Sequence, residues 1–442
     1  MSNEALNGNF AKPVLQDGFL YITVMFPYPS GSGLHCGHYY NYAIMDSYCR
    51  YKKFIGNQVF QPFGYDAFGL PAENYAKKVG RDAKEITYEN INNFRKQMQS
   101  MNTNYEELLI TSDKEYQEKT QWLFTKLLEN GLAYKKDSEV DYCNSCETTL
   151  AREQVKNNKC ERCETEISKK NLNQWYFKTT WYKQRLIDNL DKIDYPESTK
   201  KQQREWLENL HDWCVSRQRN WGCPIPLDNE TDTLDTFVDS SFYFITYCLI
   251  KGIKPKQVDL YVGGSEHACM HLIYARFITM FLFDIGVIDF EEPFKKVIHQ
   301  GMILNNGEKM SKSKGNIINL DNYDSDEIRF YLMFIGHYFD GGSWSDKNII
   351  GVQRFIKKMA NWLNKSGNET IDFATFKKQI FDYTESFKFN KVVSSFMILL
   401  NQNKNKSLSD DCKNELISLL EIYMPNVRTK LSDLREVSET VL

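Results

Sequence analysis

The 442-residue sequence predicts an α/β protein: a doubly wound parallel sheet, an inserted cysteine-knuckle module and a C-terminal α-helical bundle. Three observations carry this. A strand–helix–strand succession opens the chain and a similar one returns after residue 234. Two Cys-x-x-Cys pairs stand between them, and beyond about residue 347 only helical spacing remains. A chain this long exceeds one hydrophobic core, so several domains are expected.

The elements follow in order. "FLYITVMF", residues 19 to 26, is β-branched and aromatic and predicts a strand. "GHYYNYAIMDSYCRYKKFIG" carries Ile44, Tyr48 and Tyr51 at helical spacing and ends on Gly56. "NQVFQPFGYD" predicts a second strand, and strand–helix–strand at this length implies parallel pairing. Residues 84 to 133 predict helix, and residues 138 to 170 a polar, Cys-rich hairpin. "LDTFVDSSFYFITYCL", "VDLYVGG" and "KKVIHQGMIL" predict strands around the helix "EHACMHLIYARFITMFLFD".

Composition excludes several classes. Lys and Arg (55) nearly balance Asp and Glu (58), so nucleic-acid binding must rest on local patches. No apolar run reaches the ~18 residues of a membrane span, and the N-terminus lacks a signal pattern. A cytoplasmic protein is expected. Eleven cysteines in a reducing compartment argue against a disulfide framework.

Three stretches carry chemistry. In "MFPYPSGSGLHCGH", prolines and glycines turn the chain after a strand, and His35 and His38 share the first turn of the next helix. A phosphate there would meet backbone N–H groups, the helix dipole and two imidazoles; the bland alternative is a tight turn with two surface histidines. "EKMSKSKGN" sets Lys309, Lys312 and Lys314 in a loop flanked by Gly307 and Gly315, able to close on the same phosphates. Cys143-x-x-Cys146 and Cys160-x-x-Cys163 have the spacing of a closed tetrahedral zinc site, structural because four thiolates leave no open position.

H-C-G-H and K-M-S-K-S resemble the two signatures of class I aminoacyl-tRNA synthetases, whose catalytic sheet is Rossmann-like. "FPYPSG", "GYDAFGLPAEN", "DTFVDSS" and "GGSEHACMHLIY" narrow the resemblance to leucyl-tRNA synthetases, over roughly residues 20 to 360. It implies leucine activation with ATP and Mg²⁺, then transfer to tRNA(Leu), by a monomer. It also implies roles. His35, His38, Lys309 and Lys312 act on the phosphates. Gly263, Gly264 and Glu266 hold the adenosine, and Gln300, Met302 and Ile303 contact adenine. Asp66 holds the leucine ammonium beside Met25, Phe26 and Tyr28. Phe237, Ser240, Tyr243, Tyr261 and His267 form the side-chain pocket, with His271 lining or supporting it. The family often carries a zinc module here too. The implied division is 1–128 and 211–305 for the two halves of the catalytic sheet. Residues 129–210 form a connective insertion with its knuckle at about 140–166, 306–346 the Lys-Ser loop and junction, and 347–442 the anticodon-side bundle.

The sequence also departs from the family. "QQREWLENL" runs directly into "HDWCVSRQRNWGCPIPL", where most leucyl enzymes insert an editing domain, so post-transfer editing is expected to be absent. The N-terminal helix is short, and the chain stops soon after "LLEIYMPNV". Lys200, Lys201, Arg204, Arg217, Arg219 and the Lys309 loop are the candidate tRNA contacts. Two alternatives stay open: a leucine-activating paralogue that charges something other than tRNA, and an inactive tRNA- or partner-binding protein.

Overall fold

The structure is a computed structural model that describes residues 15–431 apart from 16–17, 30, 32, 151–153, 161–162, 311–315 and 319. The chain divides into two compact units. The first comprises Met1–Gly33, Phe60–Phe94 and Glu106–Ile298, and the second Leu34–Val59, Arg95–Tyr105 and His299–Leu442.

The first unit contains the parallel sheet. Leu20–Val24 pairs parallel with Leu260–Val262, Ile22 opposite Leu260, and that strand pairs parallel with Val297–Ile298. Pro62–Tyr65 pairs parallel with Glu106–Ile110. The strands are buried on both faces, as an all-parallel sheet requires. Tyr21, Phe60, Phe244, Tyr261, Phe277 and Phe294 belong to its core. The helix His271–Asp284 packs there, fixed by fully buried Arg276, whose guanidinium donates to Glu292 (2.8 Å), to Gln203 (3.1 Å) and to the Leu186 carbonyl (2.7 Å).

Two expectations need correction. "LDTFVDSSFYFITYCL" is two helices, Thr236–Ser240 and Tyr243–Ile250, not a strand. Asp235 caps the first by accepting from Phe237 N–H at 3.0 Å. Residues 237 to 248 are all buried, so no helical stripe shows in the sequence and the aromatic residues' strand preference misleads. The region 84 to 133 is not continuous helix either. Glu106–Ile110 is a strand between the helices Ala83–Ser100 and Lys114–Glu129.

The unit's second layer is antiparallel. Ala133–Cys143 and Ser168–Phe177 pair along their length, flanked by Thr148–Leu150 and Trp213–Cys214. The cysteine module sits at the Cys143 end of this hairpin.

In the second unit the helix Cys36–Phe54 packs on Ser325–Phe334. Buried Asp46 accepts from Arg50 and Arg329, each at 2.8 Å. Burial raises its pKa, but the two arginines prevail and hold it below the usual value. Met302–Asn305 pairs parallel with Gly341–Trp344 and antiparallel with Glu308–Lys309. The helices expected beyond residue 347 are Asp346–Leu363, Ala374–Glu385, Phe389–Asn403 and Asp410–Leu420. Among the described residues no helix is long and apolar enough to cross a membrane.

Candidate active site

Asp66 follows the strand Pro62–Tyr65 and is completely buried. Its backbone N–H donates to Pro27 O at 3.0 Å, which sets it beside Phe26 and Tyr28. Oδ1 accepts from Thr236 (2.8 Å) and Thr111 (3.4 Å). Oδ2 has no partner among the described residues. Burial pushes the Asp66 pKa up to about 8; the threonine hydroxyls oppose the shift and Asp235 adds to it. A buried carboxyl with an orphaned oxygen fits a cationic ligand better than a structural role.

Around it stands an aromatic wall. Phe26 stacks on Tyr243 at 4.0 Å. The Tyr243 and Tyr261 hydroxyls lie 2.5 Å apart, and Tyr261 meets His271 Nε2 at 2.6 Å. Burial depresses the His271 pKa to about 3, with His267 adding to it, so the ring is neutral and anchors the Tyr261 hydroxyl. Phe237 lies edge-on to His267, with centroids 6.4 Å apart. Ser240 is buried and donates back to Phe237 O at 3.4 Å, within its own helical turn. Met25 fills the space a side chain at Gly263 would need: a Cβ there would lie 2.0 Å from Met25 Sδ. At Gly264 a Cβ would lie 2.2 Å from Glu266 Oε2. A side chain at either glycine would displace Met25 or Glu266 from its present position, and Glu266 turns back over this backbone.

Sequence reasoning missed several residues. Asp239 is a second fully buried carboxyl near Asp66, raised well above the usual range by burial and then by Asp66 itself. It accepts from Thr120 at 2.9 Å. Its position inside "DTFVDSS" was the available signal. Trp221 Nε1 donates to Ala67 O at 2.8 Å, and Arg219 to Glu73 at 2.7 Å, so the segment after Trp213–Cys214 braces the turn behind Asp66. Arg217 is likewise buried and paired with Asp235. Neither arginine is the exposed phosphate contact expected from sequence. Lys200 pairs with Asp191 at 3.0 Å, while Arg204 is exposed.

The second unit holds the histidines. His35 is the N-cap of Cys36–Phe54, and its Nδ1 accepts from Gly37 N–H at 3.1 Å. His38 Nδ1 accepts from His35 N–H at 3.2 Å, closing a capping box. With both Nδ1 atoms accepting, the neutral rings carry their protons on Nε2. The rings stack at 3.8 Å and present two N–H donors together. This corrects the expectation of free backbone N–H groups, because the histidines cap two of them. Gln300 carries a buried Oε1 without a partner among the described residues. Met302 is exposed and Ile303 buried, on neighbouring positions of one strand. Lys309 is exposed at the end of Glu308–Lys309. Lys312 lies outside the described residues.

Cys143, Cys146, Cys160 and Cys163 bring their sulfurs within 4.8 Å of one another. Tetrahedral zinc with ~2.3 Å bonds spaces sulfurs by roughly 3.8 Å, so the residues fit the metal. Cys143 and Cys163 are already 3.4 Å apart, and Asn74 approaches the Cys146 sulfur at 3.7 Å. Small apolar residues, Leu70 and Leu150, complete this cluster. A metal held there would staple so small a core. With zinc bound, chelation is expected to lower the thermal midpoint by roughly 5 °C or more, followed by calorimetry with metal analysis.

Comparisons with known proteins bear on the family and the fold. The family described as tRNA synthetases class I (I, L, M and V) matches residues 16–243, and the class I (M) family matches residues 141–368. The leucine–tRNA ligase of Clostridium kluyveri is 30% identical, over 91% of this chain and 83% of its own. That of Clostridium tetani is 29% identical, over 93% and 85%. The solved ternary complex of Agrobacterium radiobacter K84 agnB2 LeuRS with tRNA and LeuAMS superposes with a TM-score of 0.86 at 23% identity, over 96% of this chain and 86% of its own. Methionyl-tRNA synthetase of Mycobacterium tuberculosis superposes at 0.72 and 19% identity, over 94% of each chain.

Proposed function

The chain belongs to the leucyl-tRNA synthetases of class I, and from that premise we propose how its residues divide the work. The leucine carboxylate attacks the α-phosphorus of ATP, the bond to pyrophosphate breaks, and leucyl-adenylate forms. The terminal ribose hydroxyl of tRNA(Leu) then attacks the carbonyl, and AMP leaves. No covalent enzyme intermediate is needed, so positioning and electrostatics carry the rate.

The observation that carries the reading is the orphaned oxygen of buried Asp66. Leucine's ammonium would complete it and return the carboxyl to its charged form. Phe26, Tyr243 and Tyr261, with Phe237, Ser240, His267, Met25 and Tyr28, would enclose the branched side chain in apolar surface. Gly263, Gly264 and Glu266 would receive the adenosine, Glu266 accepting from the ribose hydroxyls, with Gln300, Met302 and Ile303 at the adenine. The Nε2–H groups of His35 and His38 would donate to the phosphates, joined by Lys309 and Lys312. Mg²⁺ accompanies ATP as part of that substrate. The four cysteines would hold structural zinc. The five-segment division expected from sequence stands as the proposed allotment of roles, and a reducing cytoplasm suits the thiolate site. Leucine-dependent ATP–pyrophosphate exchange tests the reading, and charging of tRNA(Leu) separates it from a paralogue that only activates leucine.

We also infer that post-transfer editing is absent. The helix Glu197–Glu208 and the strand Trp213–Cys214 are joined by only four residues. The match to the Clostridium tetani enzyme extends over 690 positions against a chain of 442, so that relative has a long stretch without a counterpart here. An apolar pocket rejects one missing or misplaced methylene by only ~1–3 kcal/mol, or ~10–200-fold. Norvaline, isoleucine, valine and methionine are expected to be misactivated measurably. Norvalyl-tRNA(Leu) should hydrolyse no faster with the enzyme than without it; enzyme-accelerated deacylation would contradict the inference.

A further inference from the structure

The antiparallel hairpin carries a feature the leucine site does not use. Tyr134 and Tyr176 stand directly opposite in register, with rings 5.8 Å apart and near-parallel at 27°. Lys136 shares their face of the sheet, since side chains alternate along a strand. Its ammonium lies 4.5 Å from the Tyr176 ring and 5.6 Å from Tyr134. Just past the strand end, Lys178 lies 5.6 Å from Tyr134 and 5.8 Å from Trp181.

Trp181 is 75% exposed, the most exposed of the large apolar side chains among the described residues. Its turn is held firmly. Asp212 Oδ1 accepts from Thr180 N–H (3.1 Å) and Oγ1 (2.6 Å), Asp212 Oδ2 accepts from the Tyr134 hydroxyl (2.8 Å), and Thr179 Oγ1 donates to His211 O (2.8 Å). A tryptophan fixed in water buries nothing of its own.

The lysines are equally unspent. Neighbouring Lys135 pairs with Glu230 at 2.6 Å and Lys169 with Asp141 at 2.7 Å. Lys136 and Lys178 have no ion-pair partner among the described residues, only rings. The stripe is also continuous with the leucine side. Cys214 pairs with Tyr176 across the next strand, Arg217 donates to Cys214 O at 2.9 Å, and Arg217 shares a recess with Tyr28, Thr236 and Phe237.

An exposed indole next to cations that sit over a half-buried and a buried tyrosine ring offers one stacking face and two phosphate partners to an unpaired nucleic-acid strand. We propose that Trp181, Lys178 and Lys136, the lysines held in place by the tyrosine rings of Tyr134 and Tyr176, form the track on which the single-stranded 3′ end of the tRNA lies as it approaches the leucine pocket. This rests on the leucyl reading above and adds a surface to it.

The test uses the full chain with Trp181→Ala, Trp181→Tyr and the double variant Lys136→Gln, Lys178→Gln. Two readouts are taken on each: fluorescence anisotropy with a labelled single-stranded RNA ending in CCA, and kcat/KM for tRNA(Leu) charging. Trp181→Ala should weaken both by roughly 5- to 100-fold, the scale of one lost base–aromatic stack, and Trp181→Tyr should restore part of it. The double variant should reduce the salt slope of RNA binding by about 1.4. Leucine-dependent exchange without tRNA should stay at the parent level and reports that the variants are folded. RNA affinity and salt slope unchanged in both variants would overturn the track. RNA binding is read independently of exchange, so failed activation in the parent would count against the leucine reading alone.

Discussion

His38→Ala is expected to slow leucine-dependent pyrophosphate exchange by ~10²–10³-fold, the scale of losing one transition-state donor. The structure adds a reason beyond the loss of a ring. His38 Nδ1 accepts from His35 N–H, and this bond places the ring proton on Nε2. The same bond closes the helix cap, so the variant should also lose about 1 kcal/mol of stability. His38→Asn separates the two effects. An asparagine can still accept from the His35 N–H, so stability should return while exchange stays slow. Full exchange in a stably folded His38→Ala protein would remove this histidine from the phosphate site.

Asp66→Asn is expected to raise the leucine KM by ~10²-fold or more, with a far smaller effect on the ATP KM. Truncating a buried charge partner leaves the ammonium unpaired, which is why binding and not turnover should carry the loss. A pH dependence accompanies it. With its pKa pushed up to about 8 by burial, Asp66 is protonated at neutral pH in the free protein. Leucine must therefore displace a proton, so its affinity should rise as pH climbs toward 8. The stability of the ligand-free protein should move the other way. Between the unfolded pKa of ~4 and about 8, the unfolded chain releases this proton while the folded chain keeps it. The fold thus loses stability as pH rises through that window and levels off above it. Asp66→Asn should flatten this slope. Asp235, buried nearby, reinforces the effect by repelling a second negative charge. An unchanged leucine KM in Asp66→Asn would exclude Asp66 from the ammonium site.

Much of this was legible in the sequence because it is local. The run "LYITV", the helix after His38 and the paired cysteine knuckles each declare themselves within a few residues. The segment from Phe237 to Cys248 was not legible as helix, because a helix buried on every side has no polar face to set its period. Glu106–Ile110 was missed for a related reason: the short strand is defined by its partner Pro62–Tyr65, some forty residues away. Of the site, Asp66 could be placed at a strand end. Its orphaned oxygen, its threonine donors and its coupling to Asp239 exist only in the folded chain. Arg217 and Arg219 are expected from sequence as tRNA phosphate contacts. Their partners in the fold, Asp235 and Glu73, are 18 and 146 residues away.

The most direct test of the central claim is ATP–pyrophosphate exchange measured with each of the twenty amino acids and norvaline in turn. Leucine specificity through Asp66 and the aromatic wall predicts exchange strongest with leucine, with a visible tail for norvaline, isoleucine, valine and methionine. Exchange strongest with another amino acid, or none with any of them, would contradict it.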